Sequence, residues 1–339
     1  MPSCSSVSGG GSGDAAVASE SLEVSVGRRT LTRLGLGLQE AGLEVDSVME
    51  EWFNSGATCG RMRSVTAPST ALEDVPFGGL PLRNEKTVFD RNFIDLVALE
   101  LRWARPLDAV EQGAAIQIRD AIENAVGGVT LPVVERVEQR ALTVELADGQ
   151  ATQQSVDVGH VLRTQDQMIA ISVLPQSVGI QLNTYLRWSE SMKPLIAAVL
   201  SGVTGTLDPG VVSRAGLRYV NRIHDTDCKA PKDWADGRIS PALVAPYKDD
   251  WGLQRWVHVA REQIDFTLDD SNGARLQHGA LTPTDYLIDI DVYSQRSQKF
   301  DVPEMVSLFT RMNRTAAALF QQAVPIEYME SRQPKGADK

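Results

Sequence analysis

Three evenly spaced arginines lie in the segment SRAGLRYVNRI, residues 213–223. In a β-strand alternate side chains point to opposite faces, so Arg214, Arg218 and Arg222 would share one face. Arginine suits anionic ligands because its planar guanidinium makes paired hydrogen bonds with a phosphate or a carboxylate. These side chains form the first candidate site, and Asn221 of the same segment is grouped with them as a candidate ligand contact.

A second segment, TDYLIDIDVY at residues 284–293, carries aspartates with strand spacing. Alternation would place Asp285, Asp289 and Asp291 on one face together with Leu287 and Tyr293. The other, core-facing side would carry Tyr286, Ile288, Ile290 and Val292. If this strand and the arginine strand are neighbours, the favoured interpretation is a ladder of cross-strand ion pairs. Such pairs contribute about 0.2–1 kcal/mol each. In that case the arginines and aspartates have a structural role.

Two other interpretations of these residues stay open. In the first, the arginines line a concave sheet face that binds a phosphate or a carboxylate. In the second, Asp289 and Asp291 hold a Mg²⁺ ion for phosphoryl transfer or nuclease-type hydrolysis, with Glu100 as a third oxygen ligand. The sequence identifies no catalytic residue, no cofactor and no metal motif. The candidate ligand contacts are therefore Arg214, Arg218, Asn221, Arg222, Asp289 and Asp291.

Composition and charge limit the classes of function. The 339 residues carry a formal net charge of −11 and three well-separated cysteines. This charge argues against non-specific binding to nucleic acid or to anionic membranes, and the cysteines suit neither a disulfide framework nor a zinc site. The sequence has no GxGxxG, Walker or GxSxG motif, no secretory signal and no apolar run that could span a bilayer. It therefore predicts a cytoplasmic binding protein rather than an enzyme.

Aromatic residues outside the two strands suggest a protein partner. Residues 1–27 are predicted to be a disordered tail, and residues 28–75 a short helix plus linker. The apolar stripe of that helix either docks on the main domain or binds another protein. Two tryptophans bracket the polar loop 225–250, where they either pin the loop or stand partly exposed as at an interface. The candidate partner contacts are Val45, Met49, Trp52, Phe53, Trp234 and Trp251.

Residues 76–330 are predicted to form one α+β domain, followed by a disordered C-terminus at 331–339. The patterns indicate an antiparallel or mixed sheet with about three amphipathic helices packed on it. A strand followed by a helix with a D-x-x-E cap occurs at 93–126 and again at 285–323, which suggests an internal duplication. Asp108 and Asp301 are expected to cap the two helices. The smaller elements expected are a hairpin that turns at Pro175 and Gln176 and a helix that begins at Trp188. A strand over 133–146 is expected to break near Glu138, and a last short strand is expected at 326–329.

These segments resemble those of a sporadically distributed family of uncharacterised bacterial proteins. The signature of that family is a GLRY[IV]NRI strand, which Gly216–Ile223 matches. The segments LVALELRW, YLRWSESMKPLIAAVL and YLIDIDVY also resemble segments of that family. The resemblance covers residues 77–330. It implies no activity and no catalytic residues. The patchy distribution of the family is similar to that of mobile elements and of defence or toxin–antitoxin loci, so such loci are the expected context.

Overall fold

The computed structural model describes residues 75–82, 93–107, 109–145, 150–183, 187–244 and 261–332. Side chains are described in these ranges except at 138–145 and 150–158. All described residues lie within one compact unit, Ala57–Lys339. The predicted tail at 1–27 lies outside the described residues, as does nearly all of the predicted helix and linker at 28–75.

One antiparallel sheet of ten strands dominates the described residues. Its path runs in the order β2-β3-β4-β5-β1-β6-β9-β8-β7, and the short strand β10 pairs with β6. With the helices described next, this sheet confirms the predicted α+β class. The strands are β1 (Ile94–Trp103), β2 (Val133–Glu145), β3 (Gln150–Arg163), β4 (Ile169–Val173), β5 (Ser177–Leu182), β6 (Val211–His224), β7 (Arg261–Thr267), β8 (Asn272–Thr282), β9 (Asp285–Ser294) and β10 (Gln298–Lys299).

Three longer helices and one short helix accompany the sheet in the described ranges. The long helices form one layer, since α1 contacts α2, α2 contacts α3, and α3 contacts β6 and β9. A π-helical turn, Trp188–Met192, leads directly into α2, and Pro194 occupies its first turn, where a missing N–H does no harm. The helices are α1 (Gln112–Ala125), α2 (Lys193–Thr206), α3 (Val302–Ala323) and α4 (Ile326–Ser331).

Side-chain alternation in the central strands creates one apolar and one polar sheet face. In β1, Val97, Leu99 and Leu101 are buried, while the residues between them are only partly covered. The same core contains Met305 and Phe309 of α3, so the helices cover the apolar face. Burial of this apolar surface is the main stabilising contribution to the fold. It also leaves the charged residues of the central strands together on the opposite face.

The strand order repeats one plan twice. β1 pairs with β5, which ends the meander β2–β5, and β6 pairs with β9, which ends the meander β7–β9. In each half a helix follows that last strand: α2 follows β5, and α3 follows β9. The first strands of the two halves, β1 and β6, are neighbours at the centre of the sheet. The repeat therefore runs from β1 to α2 and from β6 to α3, rather than over the predicted ranges 93–126 and 285–323.

Several local predictions are confirmed. The side chain of Asp301 accepts a hydrogen bond of 3.0 Å from the amide of Glu304 and caps α3. The hairpin β4–β5 turns at Pro175 and Gln176, between Leu174 and Ser177. The pairing of β2 with β3 shifts register between Val137 and Glu138, where a break was expected.

Three local predictions are wrong. Helix α1 begins at Gln112 after Glu111, which makes no side-chain cap, so the helix starts later than the predicted cap at Asp108 required; Asp108 itself lies outside the described residues. Residues 326–329 belong to helix α4, because Pro325 at its N-cap favours a new helical start. That helix runs to Ser331 and Arg332 forms an ion pair with Asp225, so these two residues do not belong to a disordered C-terminus.

Candidate functional site

The polar face of the central strands, opposite the helices, contains the arginines and aspartates that the sequence singled out. Strands β6 and β9 are neighbours, and their antiparallel register sets Arg218 opposite Asp291 and Val220 opposite Asp289. Strand β1 adds Glu100 and Arg102 on the other side of β6. On the far side of β9, strand β8 sets Arg275 opposite Asp291.

Arg218 and Asp289 form the closest ion pair of this face. The Arg218 Nε and an Nη donate to the two carboxylate oxygens of Asp289 at 2.9 and 2.6 Å. Both side chains are largely buried, with exposed fractions of 14% and 6%. Burial alone would lower the pKa of Arg218, but its bonds to Asp289 outweigh this effect and raise that pKa. This pair confirms the predicted cross-strand ladder at one position.

The other arginines of the polar face also have carboxylate neighbours. Arg222 pairs with Asp95 of β1 at 3.0 Å rather than with β9, and both side chains are exposed to solvent. Arg102 donates to Glu100 of its own strand at 2.9 Å. Arg275 donates to Asp265 of β7 at 2.8 Å. A bare anion would have to compete with these carboxylates for the guanidinium groups.

Asp291 is the exception among the acidic residues of this face. Only 6% of the residue is exposed, and its nearer oxygen lies 3.9 Å from the guanidinium of Arg214, a long distance for a hydrogen bond. The other oxygen, Oδ1, is buried without a hydrogen-bond partner among the residues that the structure describes. Burial raises the pKa of Asp291 to about 6, although the nearby charges of Arg214 and Arg218 act in the opposite direction. The centre of the polar face therefore holds an acceptor that lacks a donor.

Tyr293 completes the surroundings of Arg214. A Cβ atom added to Gly273 of β8 would lie 2.5 Å from the Tyr293 hydroxyl oxygen, so this glycine lets the ring lie across β8. The guanidinium carbon of Arg214 lies 5.6 Å from the centroid of the same ring, within cation–π range. Burial lowers the pKa of Arg214, although the Asp291 charge opposes this effect. Arg214 is thus held between the Asp291 carboxylate and an aromatic ring.

Two predicted contact residues, Asn221 for a ligand and Trp234 for a protein partner, are buried away from the surfaces on which those contacts would occur. Asn221 lies on the apolar face, is 4% exposed, and donates to the carbonyl oxygen of Ile288 at 3.0 Å. Trp234 is fully buried and donates from Nε1 to the carbonyl oxygen of Pro283 at 3.0 Å, so of its two interpretations the structure agrees with pinning of the loop and excludes an exposed partner contact. The ring centroids of Trp234 and Tyr286 lie 5.3 Å apart, and this packing holds the loop against strand β9. The remaining candidate partner contacts lie outside the described residues: Val45, Met49, Trp52, Phe53 and Trp251.

The described part of the loop 225–250 is anchored by a buried carboxylate. Asp225 accepts hydrogen bonds from Arg238 at 2.9 Å and from the Tyr328 hydroxyl at 3.0 Å, and it pairs with Arg332. Burial alone would raise the pKa of Asp225, but these bonds outweigh it and hold that pKa below its usual range. The arrangement joins the loop to helix α4. We therefore assign this cluster a structural role.

The proposed metal site is not assembled among the described residues. No group of three or more His, Cys, Asp and Glu side chains in this part of the chain could hold a metal ion. Asp289 is occupied by Arg218, and Glu100 by Arg102. Glu100, the proposed third ligand of a carboxylate-bound Mg²⁺ ion, is therefore engaged in its ion pair with Arg102.

Comparison with known proteins adds no assignment to these residues. The chain matches no protein-family model, and no curated protein is similar enough to match it. Within the described ranges, no helix is both long enough and apolar enough to cross a bilayer. The geometry of the polar face is therefore the basis on which a function is assigned.

Proposed function

We propose that this protein is a non-enzymatic binding protein, and that its ligand binds to the centre of the polar face, between Arg214 and Asp291. The observation that carries the proposal is the buried Oδ1 of Asp291, which has no hydrogen-bond partner among the described residues. Leaving a buried acceptor unsatisfied costs about 1–3 kcal/mol, and folded proteins rarely do so without a reason. A ligand that supplies the missing donor would remove this cost.

The surrounding groups suit a binding site because they are held in place before a ligand arrives. Arg218 is fixed by two hydrogen bonds to Asp289, and Arg214 lies between Asp291 and the ring of Tyr293. All of these residues stand on paired strands rather than on loops. Rigid placement of this kind reduces the conformational entropy that binding must overcome.

The cellular setting proposed for this activity rests on the sequence. The three well-separated cysteines support a cytoplasmic protein. The resemblance to the sporadically distributed bacterial family supports an association with mobile-element, defence or toxin–antitoxin loci. A protein partner that docks on the stripe from Val45 to Phe53 remains a prediction beside the ligand site. Deleting residues 1–75 tests that prediction, because partner binding that survives the deletion would exclude the stripe.

The test of the ligand site is thermal unfolding of the full chain against a panel of phosphate, nucleotides, amino acids, amides and amines. A ligand present at about ten times its Kd stabilises a protein by about 1.4 kcal/mol, which raises Tm by about 3–6 °C for a domain of this size. We expect the response in wild type and its loss in Arg214→Gln and in Asp291→Ala. The matched control is Glu135→Gln, a strand carboxylate that accepts from Arg163 at 3.1 Å on β2, at the other end of the strand order. A ligand whose effect survives both central substitutions would place the binding site elsewhere.

A further inference from the structure

The hydrogen-bonding character of Asp291 restricts the chemistry of the ligand. An ionised carboxylate accepts hydrogen bonds and donates none. The buried Oδ1 therefore calls for an N–H or O–H donor. A phosphate or carboxylate ligand would bring a second acceptor oxygen against it, and the two would repel each other. The bare anion that the arginines first suggested is thus a poor match for this position.

The balance of charge around Asp291 argues for a ligand without net charge. The cations that face it from the neighbouring strands already have acidic partners, since Arg218 pairs with Asp289 and Arg275 with Asp265. On β1, Arg102 pairs with Glu100. Neither a cation nor an anion would find an excess of opposite charge here. The charged groups around this centre on β1, β6, β7, β8 and β9 are Glu100, Arg102, Arg214, Arg218, Asp265, Arg275 and Asp289, which with Asp291 make four guanidinium groups and four carboxylates.

Arg214 supplies the complementary donor. A guanidinium has five N–H groups and can serve more than one acceptor. Its contact with Asp291, at 3.9 Å, places a donor and an acceptor side by side at the centre of the face. An amide group carries the matching pair, because its N–H donates while its carbonyl oxygen accepts.

We infer that the ligand presents an uncharged amide, with its N–H directed at Oδ1 of Asp291 and its carbonyl oxygen at Arg214. A primary carboxamide and a peptide group share this chemistry. The inference rests on the proposed function, since it names the ligand class of the same site. It assigns Asp291 as the residue that distinguishes amides from anions and from amines.

The experiment compares probes that differ in one feature at a time. N-methylacetamide and N,N-dimethylacetamide have the same carbonyl group, but only the first has an N–H. Phosphate and ethylammonium represent the charged alternatives. Thermal unfolding of the full chain is measured with each probe at matched concentration, for wild type, Asp291→Ala, Asp291→Asn and the control Glu135→Gln. The asparagine variant keeps an acceptor oxygen, so it remains informative if the alanine variant folds poorly.

We expect N-methylacetamide to stabilise wild type and the control relative to N,N-dimethylacetamide. The apparent affinity should fall by about tenfold or more in Asp291→Ala, the usual effect of losing a hydrogen bond to a charged group, and by less in Asp291→Asn. Equal responses to the two amides in wild type would overturn the inference. If phosphate or ethylammonium stabilises wild type instead and Asp291→Ala abolishes that effect, the ligand class is wrong while the proposed site stands. If no probe distinguishes wild type from the central variants, and Asp291→Asn is simply more stable, both the inference and the proposed function fail.

Discussion

Ionisation of Asp291 should make the stability of this protein fall as the pH rises through the mildly acidic range. The pKa of this carboxyl group is raised from its ordinary value of 3.8 to about 6 by burial. The folded chain therefore holds a proton that the unfolded chain has already lost between these two values. Stability from this group is fully present below about pH 4 and lost as the pH rises through about 6. The full effect amounts to about 3 kcal/mol.

Asp291→Asn isolates this effect because an amide has nearly the shape of a carboxyl group and does not ionise. The free energy of unfolding of the variant, relative to wild type, should increase between about pH 5 and about pH 8 by about 1.4 kcal/mol. Only part of the ~3 kcal/mol appears in this window, since the unfolded chain has already lost its proton by pH 5 and about half of the effect falls below that pH.

Urea unfolding of both proteins at the two pH values measures the change directly. Glu135→Gln serves as the control, because its carboxylate is half exposed and pairs with Arg163 on strands far from β9 in the strand order. The control should show no such increase between pH 5 and pH 8. If the gap between wild type and Asp291→Asn stays constant over this range, or closes, the Asp291 carboxylate is not the poorly satisfied group that the structure indicates.

Three further changes test the parts of the fold that support the site, each by urea unfolding at neutral pH. Asp225→Asn should cost about 3 kcal/mol, because it leaves two arginines around a buried position without their charge partner, and the loss should shrink in acid, where the low pKa of Asp225 is approached. Asp301→Ala should cost about 1 kcal/mol through loss of the cap of α3. Gly159→Ala should cost about 1–3 kcal/mol, because the added Cβ would lie 2.2 Å from the carbonyl oxygen of Val173, whereas Gly113→Ala in the open first turn of α1 should be neutral or stabilising. Equal outcomes for the two glycines would contradict the close approach of β3 to β4.

The elements with strong periodicity could be predicted from the sequence, and those with mixed composition could not. Helix α3 has both a side-chain cap and a continuous apolar stripe, so its start at Asp301 was predictable. Strand β3 was missed because its sequence QATQQSVDVGHVLR is polar in its first half and lacks a clear alternation. Its partners β2 and β4 hold it in the sheet through backbone hydrogen bonds, which the side-chain pattern does not encode.

The arginines and aspartates of β6 and β9 could be predicted as members of the candidate site, but which of them form ion pairs, and which residues β8 adds, could not. Alternation placed Arg218 and Asp289 on faces that could meet, and the meeting itself depended on β6 and β9 being neighbours. Tyr293 shares the spacing of Asp289 and Asp291, which is the signal that could have included it. Arg275 and Gly273 lie on β8, and no local pattern reveals that β8 pairs with β9. The lack of a hydrogen-bond donor near Oδ1 of Asp291 depends on the distances between side chains in the folded sheet, so no sequence pattern reveals it.

The repeated strand plan has a consequence for how the chain folds as it is synthesised. β1 leaves the ribosome first, yet its partner β5 follows roughly 80 residues later, and β6 waits about as long for β9. β1 must therefore stay unpaired while a whole meander is made, whereas β6 can pair with β1 as soon as it emerges. Pairing over such separations is slow because the loop must close first. An apolar strand edge exposed for this time invites aggregation. The nascent chain is thus expected to need a chaperone most between the synthesis of β1 and that of β5.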